Sequence, residues 1–406
     1  METLIPYEEA LARWLDALAP LAAETVSLAQ AGGRVLATDL VASHDQPPEP
    51  RSIMDGIAVA GGEPSPGTQF ALVGSSYAGA PYDRPLGAGE AVRIATGAVV
   101  PDGAERVLPQ EWLDFRDDVV AIERCETAAP FIRPAATDFA HGETLLTAGT
   151  RLHPAALALV AAANAGSVAV HRRPRIGVAT SGDELIEPGS PMERGRTIDS
   201  GSTLVSGLAS DAGASVARLA NLPDTHQAVR EALERVRPDL DILVVIGGAS
   251  VGDRDHLRPV VRELGGTMLF ERIAMRPGKP TWAARLPDGL LLLGLPGNPG
   301  SAFVAALLFL LPAIRMMSGE GCDASSDRPA RFVGDDPIRN GPREAFLPAV
   351  AAIAGEGLAV HPAGPPDSGL QRALACANCL LRLPPDTIVE QGGSCSIILF
   401  GSTDRL

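Results

Sequence analysis

A chain of 406 residues, 46% hydrophobic and 4% aromatic, has the apolar content of a soluble protein with two to four cored domains. A formal net charge of −15 excludes the basic surface on which duplex nucleic-acid affinity rests. The five cysteines (Cys125, Cys322, Cys376, Cys379 and Cys395) form no secreted disulfide pattern, so the cytoplasm is the expected location.

Met1–Leu18 carries Glu2, Glu8, Glu9, Arg13 and Asp16 and reads as an amphipathic surface helix, not a secretory leader. Helical patterning covers Tyr7–Leu21 and then Ser27–Leu36, broken at Gly32-Gly33. Gln46-Pro-Pro-Glu-Pro50 marks a boundary. From Arg51 to about Thr147, short alternating strands between turn residues predict an all-β insertion. Leu152–Ala165 resumes the helical pattern. Residues 1–45 and 146–174 are therefore expected to form one helical connector around a β domain at 46–145.

Residues 175–322 alternate strand and helix. Strands are expected at Arg175–Ala179, Val216–Leu219, Asp241–Ile246 and Leu290–Leu295, and helices at Ser202–Asp211, His226–Arg235, Asp255–Leu264 and Pro299–Met316. That pattern predicts a parallel sheet covered on both faces, with ligands beyond the strand C-termini. The most apolar run, Ser301–Leu311, is too short to span a bilayer and reads as a buried helix, so no membrane partner is expected. A polar linker, Gly319–Pro329, leads to a last β-rich piece, Ala330–Phe400, within a domain at 327–406. Cys376-Ala-Asn-Cys379 has metal or redox spacing, but without a second pair small buried residues are the simpler reading.

Two glycine-rich loops leave strands of the α/β region. One is Gly247-Gly248-Ala-Ser250-Val-Gly252-Asp253-Arg254-Asp255, and the other is Gly294-Leu-Pro296-Gly297-Asn298-Pro299-Gly300-Ser301. Between them lies the basic turn Arg276-Pro277-Gly278-Lys279-Pro280. Glycines let backbone N–H groups approach an anion, and a helix N-terminus adds a favourable dipole. Asn298 can cap the following helix, with Pro299 at its first position. The loops read as a phosphate cradle with carboxylates nearby for a metal. With Thr180-Ser-Gly-Asp-Glu184, three loops converge at the strand ends.

Familiar nucleotide motifs fail. Gly177-Val-Ala-Thr-Ser-Gly182 is followed by Asp183 and Glu184 instead of the Lys-Ser/Thr of a P-loop, and Ala249 breaks the dinucleotide fingerprint. The seven histidines show no paired metal spacing. On spacing alone, Asp55-Gly56 reads equally as a turn, Asp255, Asp199 and Asp224 as helix caps, and Lys279 as a solvated charge.

Taken together, the motifs resemble the MoeA/gephyrin E-domain family of molybdopterin molybdenumtransferases. In the α/β region the resemblance rests on Thr180-x-Gly182-Asp183-Glu184-Leu185, Asp199-Ser200, Gly247-Gly-x-Ser-Val-Gly-Asp-x-Asp255, Pro277-Gly-Lys-Pro280 and Leu295-Pro-Gly-Asn-Pro299. It continues in Ser52-Ile-Met-Asp55-Gly56, Arg93-Ile-Ala-Thr96-Gly-Ala98, Pro101-x-Gly103-Ala104, and Ile132-Arg133 with Asp138, so it spans about residues 5–400. The sequence departs from the family pattern at Ile57, Ala136, Gly201, Arg276 and Asp367-Ser368-Gly369.

The resemblance implies a multidomain α/β plus β fold. Its parts are a three-layer α/β/α molybdopterin-binding-type domain, a helical connector, an inserted β domain and a C-terminal β-barrel-like domain. It also implies a reaction in which adenylylated molybdopterin receives molybdate and AMP is released with a divalent metal, Mg²⁺. In that reading Glu184 and Asp255 hold the metal, while Asp55 and Asp138 complete the site. Lys279 and Arg276 neutralise phosphate or molybdate oxygens. Thr96, Ser250 and Ser301 donate hydrogen bonds, and Gly247, Gly248, Gly252, Pro296, Gly297 and Asn298 shape the cradle. A homodimer is implied, its site joining Asp55 of one chain to Asp255 of the other, with other molybdenum-cofactor synthesis proteins and apo-molybdoenzymes as partners. The competing functions are a molybdopterin adenylyltransferase and a non-catalytic molybdopterin-binding scaffold.

Overall fold

The computed structural model describes residues 4–61, 65–127, 129–222, 225–236, 239–248, 256–321, 327–355, 357–365, 369 and 371–400. By their contacts these residues form two compact units, one of Met1–Glu24, Gly33–Ala37 and Ala169–Leu406, the other of Thr25–Gly32 and Thr38–Val168. Residues of the expected connector are thus shared between the units. Its first helix, α1 (Tyr7–Leu15), is shorter than the expected Tyr7–Leu21. The expected helix at Ser27–Leu36 is absent: only one 3₁₀ turn, Leu28–Gln30, forms there. Leu36 bridges Val170 and the Ala37 N–H reaches the Ala169 carbonyl, so a strand-like partner has claimed the backbone. Gly32-Gly33 makes that escape from helix inexpensive.

The smaller unit is built on β1 (Arg51–Ser52), β2 (Gly56–Val59), β3 (Gln69–Ser76), β4 (Glu90–Ile94), β5 (Arg106–Pro109), β6 (Leu113–Arg116), β7 (Val119–Ile122) and β8 (Ile132–Arg133). Six of these form one sheet in the order β5-β2-β4-β3-β7-β6, while β1 pairs with β8 and bridges Val99 through Arg51. Ile57 and Val59 point into one apolar cluster and Ala58 into another, as the two-residue period of a strand requires. Gly56 is obligatory here: a Cβ would stand 1.8 Å from the Leu108 carbonyl oxygen. Helix α2 (Pro154–Ala162) follows the sheet.

The larger unit carries β9 (Arg175–Thr180), α3 (Gly201–Asp211), β10 (Ser215–Arg218), α4 (His226–Val236), β11 (Ile242–Ile246), α5 (Leu257–Glu263), β12 (Thr267–Phe270), β13 (Trp282–Arg285), β14 (Leu291–Leu295), α6 (Pro299–Ala305) and α7 (Leu311–Met317). The sheet order is β10-β9-β11-β14-β13-β12. The expected parallel strands pair in parallel, and two strands the periodicity missed extend the sheet. Of these, β13 runs antiparallel to both β14 and β12. Ile242, Val244 and Ile246 enter the core beneath α1, α3 and α6, whereas Leu243 and Val245 enter the core beneath α4 and α5. Covered on both faces, these strands read as unbroken apolar runs.

Pro299–Met317 is 19 residues of high hydropathy, long and apolar enough to cross a bilayer by length and composition, and 78% of its most apolar stretch is buried inside the protein. Its ladder widens into a π turn over Ala306–Leu310, just before Pro312, which has no N–H to give. The indole Nε1 of Trp14 on α1 donates to the Phe309 carbonyl at 2.9 Å.

The C-terminal piece is a closed barrel of β15 (Asp327–Phe332), β16 (Glu344–Ala354), β17 (Gly357–Pro362), β18 (Cys379–Leu383) and β19 (Ser394–Leu399), with α8 (Gln371–Cys376) before β18. The ring closes through β16-β17-β15-β19-β18 and back to β16. Ala345, Leu347 and Ala349 fill its interior, while Phe346, Leu380 and Ile398 face outward into the core around α1 and α6. Arg382 fastens this contact. Its Nε donates to Glu344 at 2.6 Å and its Nη1 to Asp327 at 2.9 Å, and Nη2 donates to Glu8. One guanidinium serves three carboxylates. Burial and the neighbouring Asp327 push the Glu344 carboxyl up to about 7. Cys376 is exposed at the end of α8 and Cys379 is fully buried, its thiol pushed up to about 12 by burial and by Cys395. Cys379 is thus the buried packing residue expected, whereas Cys376, expected to be buried as well, is exposed.

Candidate functional site

Three loops leave the C-terminal ends of adjacent strands β9, β11 and β14, and backbone bonds tie them together. The Ser181 N–H donates to the Ile246 carbonyl at 2.9 Å, and the Gly247 N–H to the Leu295 carbonyl at 3.0 Å. Gly247 has φ +93° and Gly248 φ +61°. A Cβ on Gly247 would lie 2.4 Å from the Ser181 carbonyl oxygen, so the first two loops can approach this closely only at glycine. Gly297 sits against them, 3.5 Å from the Gly247 Cα by the same measure.

Pro296 is buried at the end of β14, and Gly297 and Asn298 are exposed beyond it. The Asn298 Oδ1 accepts the Gly300 N–H at 3.2 Å, with Pro299 at the first helical position, so Asn298 caps α6 as its sequence context implies. Ser301 is buried in the first turn. In the loop after β9, Glu184 is exposed and folds back over Gly182, and its carboxylate has no hydrogen bond among the described residues. The Asn221 Nδ2 donates to the Gly182 carbonyl at 2.8 Å and holds that loop from outside. Asp199 is a satisfied cap: it accepts the Ser202 N–H at 2.9 Å and the Ser202 hydroxyl at 2.5 Å, with Arg218 at 3.5 Å. Ser250, Gly252, Asp255 and Asp224 lie outside the described residues.

Arg276 is half-buried and lines a cavity of about 510 Å³ with Gly300 of α6 on one side and Arg339, Ile338, Leu347 and Pro348 of the C-terminal piece on the other. The cavity therefore joins the basic turn to the first turn of the capped helix. Lys279 is exposed on the same turn, and its carbonyl accepts the Ile273 N–H at 3.0 Å. The sequence also singles it out: Lys279 is the only lysine among the 34 Lys and Arg residues of the chain.

The smaller unit holds Asp55, Thr96 and Asp138. Asp55 is exposed just before β2, and its Oδ1 accepts the Thr96 N–H at 2.7 Å and the Thr96 hydroxyl at 3.0 Å. Those two bonds, the backbone one first, hold the Asp55 carboxyl below the usual carboxylate range, so it is anionic at neutral pH. Asp55-Gly56 is more than a turn: Gly56 starts a strand, and the Asp55 carboxylate is fixed by a second loop. Asp138 is exposed, with its N–H on the Gln46 carbonyl at 2.9 Å.

Three protein-family models match the chain in order. They are the MoeA N-terminal region (domain I and II) over residues 5–164, a probable molybdopterin binding domain over 177–316, and the MoeA C-terminal region (domain IV) over 333–400. The molybdopterin molybdenumtransferase of Bacillus subtilis (strain 168) is 33% identical, the match covering 98% of this chain and 94% of that protein. That of Staphylococcus aureus (strain MRSA252) is 31% identical over 94% of this chain and 91% of its own length. Among solved structures, the molybdopterin biosynthesis moeA protein from Pyrococcus horikoshii OT3 is similar with a TM-score of 0.81 and 26% identity, covering 98% of this chain and 100% of that one.

Proposed function

The chain belongs to the MoeA family of molybdopterin molybdenumtransferases, and from that premise we propose that it inserts molybdate into adenylylated molybdopterin with release of AMP. The observation that carries this reading is the rim of three tied loops ending at a capped helix N-terminus, whose dipole favours an anionic ligand. Arg276 and Lys279 neutralise phosphate or molybdate oxygens, the one as a planar fork and the other as a point charge. Thr96 keeps Asp55 ionised and oriented, and Asp138 is the second carboxylate of the smaller unit. Ser250 and Ser301 donate hydrogen bonds to the oxyanion.

The exposed carboxylate of Glu184 suits a hard divalent cation, and Mg²⁺ would be held there with Asp255. When bound, the ion supplies charge neutralisation at the phosphoanhydride. The same reading makes the protein a cytoplasmic homodimer that serves other cofactor-synthesis proteins and apo-molybdoenzymes. Light scattering tests the dimer, and a monomer at working concentration would remove that part.

Purified protein supplied with adenylylated molybdopterin, molybdate and magnesium should release AMP and retain molybdenum on the pterin. Absence of both products sinks the proposal. Consumption of ATP with unmodified molybdopterin would identify an adenylyltransferase instead. Because Lys279 is the only lysine, an amine-reactive reagent marks it selectively apart from the chain's amino terminus. Molybdate should protect it, and unprotected labelling would remove Lys279 from the oxyanion site.

A further inference from the structure

The strip formed by β1 and β8 sets two arginines directly opposite each other. In its antiparallel register Ile132 faces Ser52 and Arg133 faces Arg51. Opposed residues on such a pair share a face, with Cβ atoms about 5 Å apart, and like charges there repel. Among the described residues Arg133 has no hydrogen bond or ion pair, and Arg51 has one long ion pair, to Glu49 at 3.8 Å. In a chain of net charge −15, two arginines opposed in register, with no close carboxylate on either, need an explanation.

Their position supplies one. Along the strip, Ile53 donates to the Phe131 carbonyl, Ala136 to that of Pro47 and Asp138 to that of Gln46. The order is therefore Asp55 just past one end, the arginine pair in the middle and Asp138 towards the other end. Arg51 also reaches the Thr96–Gly97 turn: its Nη1 donates to the Gly97 carbonyl at 3.2 Å, while Thr96 holds Asp55. The turn that fixes the carboxylate thus also fixes one guanidinium.

We infer that Arg51 and Arg133 form an oxyanion subsite for the nucleotide phosphate, which is part of an anhydride in the substrate and becomes a dianion in the released AMP, an inference that rests on the proposed function. Two forked guanidiniums match the oxygens of a tetrahedral dianion and offset their own repulsion when it binds. The flanking Asp55 and Asp138 disfavour a second anion beside the first.

Calorimetric titration of the full chain with AMP, adenosine, inorganic phosphate and molybdate tests this on the wild type, Arg51→Gln, Arg133→Gln and the double variant. Each single variant should weaken AMP binding about tenfold, as loss of a charge-assisted bond does, and leave adenosine and molybdate binding unchanged. Melting temperatures should hold or rise, since repulsion is removed. Arg51→Lys and Arg133→Lys should recover part of the affinity, and they replace the Gln variants if those misfold. Unchanged AMP affinity in the double variant overturns the subsite. So does a loss confined to molybdate, or inorganic phosphate binding more tightly than AMP. If the wild type neither binds AMP nor releases it in the insertion assay, the proposed function fails; if it does both while the variants match it, only this inference fails.

Discussion

Two regions of the molecule, one in each compact unit, use different materials. The rim of the α/β sheet is made of backbone: glycines at strand ends, N–H groups and one helix cap, with loops so close that a Cβ cannot enter. The strip of the smaller unit is made of side chains, Asp55, Arg51, Arg133 and Asp138, carried on short paired segments and fixed by the Thr96 turn. A backbone site is specified by what is absent from the sequence, and a side-chain site by what is present. The first should break under the smallest addition of atoms, and the second should respond in graded steps.

The largest expected effect is at Gly247. Alanine there adds a Cβ 2.4 Å from the Ser181 carbonyl oxygen at φ +93°, and Ser181 cannot retreat without breaking its bond to Ile246. Gly247→Ala should cost about 3 kcal/mol or more in urea denaturation and abolish molybdate insertion. A variant of wild-type stability would show that the loops are not locked. Gly297 separates packing from ligand approach. Its Cβ would meet only the Gly247 Cα at 3.5 Å, an ordinary contact. Gly297→Ala should therefore keep its stability within about 0.5 kcal/mol yet lose most of its activity, because the added methyl occupies the exposed face of the cradle. Full activity would remove Gly297 from the ligand surface.

This difference in material also explains what the sequence revealed. The α/β strands and helices were legible because a sheet covered on both faces demands continuous apolar runs, and Asn298-Pro299 declared its helix start. Trp282–Arg285 and Thr267–Phe270 were not, because they fall outside the strand–helix alternation and their place is set by antiparallel pairing across the sheet. The glycine loops were found as candidates, yet spacing alone could not separate cap from ligand: Asp199 proves to be a cap, whereas Asp55 is tied to a loop 41 residues away. The arginine pair was illegible for the same reason. Arg51 and Arg133 become neighbours only through a register that closes 82 residues of chain.

On the strip, a graded response is expected at Thr96. Thr96→Val removes the hydroxyl bond to Asp55 but keeps the stronger backbone one. The Asp55 carboxyl should titrate closer to its ordinary value, upward from wild type, in carboxyl-resolved NMR. Because its folded pKa is depressed, any stability it contributes is present above the unfolded value and fades as pH falls through the folded one. In Thr96→Val that acid-dependent contribution should therefore be smaller, and its loss should be complete at a higher pH than in wild type. An unchanged titration would mean that the hydroxyl does not bond the carboxylate in solution.

The smallest effect is expected at Ala136, where the family pattern has glycine. Its φ is +58°, in the left-handed region, and its N–H donates to the Pro47 carbonyl at 3.0 Å, so the strip keeps the conformation although the residue has changed. A side chain in that region costs about 1–2 kcal/mol, whereas glycine there costs almost nothing. Against this, glycine gives the unfolded chain more freedom, worth about 0.4–1 kcal/mol. The first quantity exceeds the second, so Ala136→Gly should stabilise the smaller unit by about 0.5 kcal/mol, seen as a small rise in its urea midpoint with no change in slope. Asp138, two residues on, keeps its bond to Gln46 in either case, and activity should hold. A lower midpoint would mean that the Ala136 methyl contributes packing beyond what its backbone costs, and that the side-chain-built strip, unlike the rim, tolerates an added carbon at a glycine position.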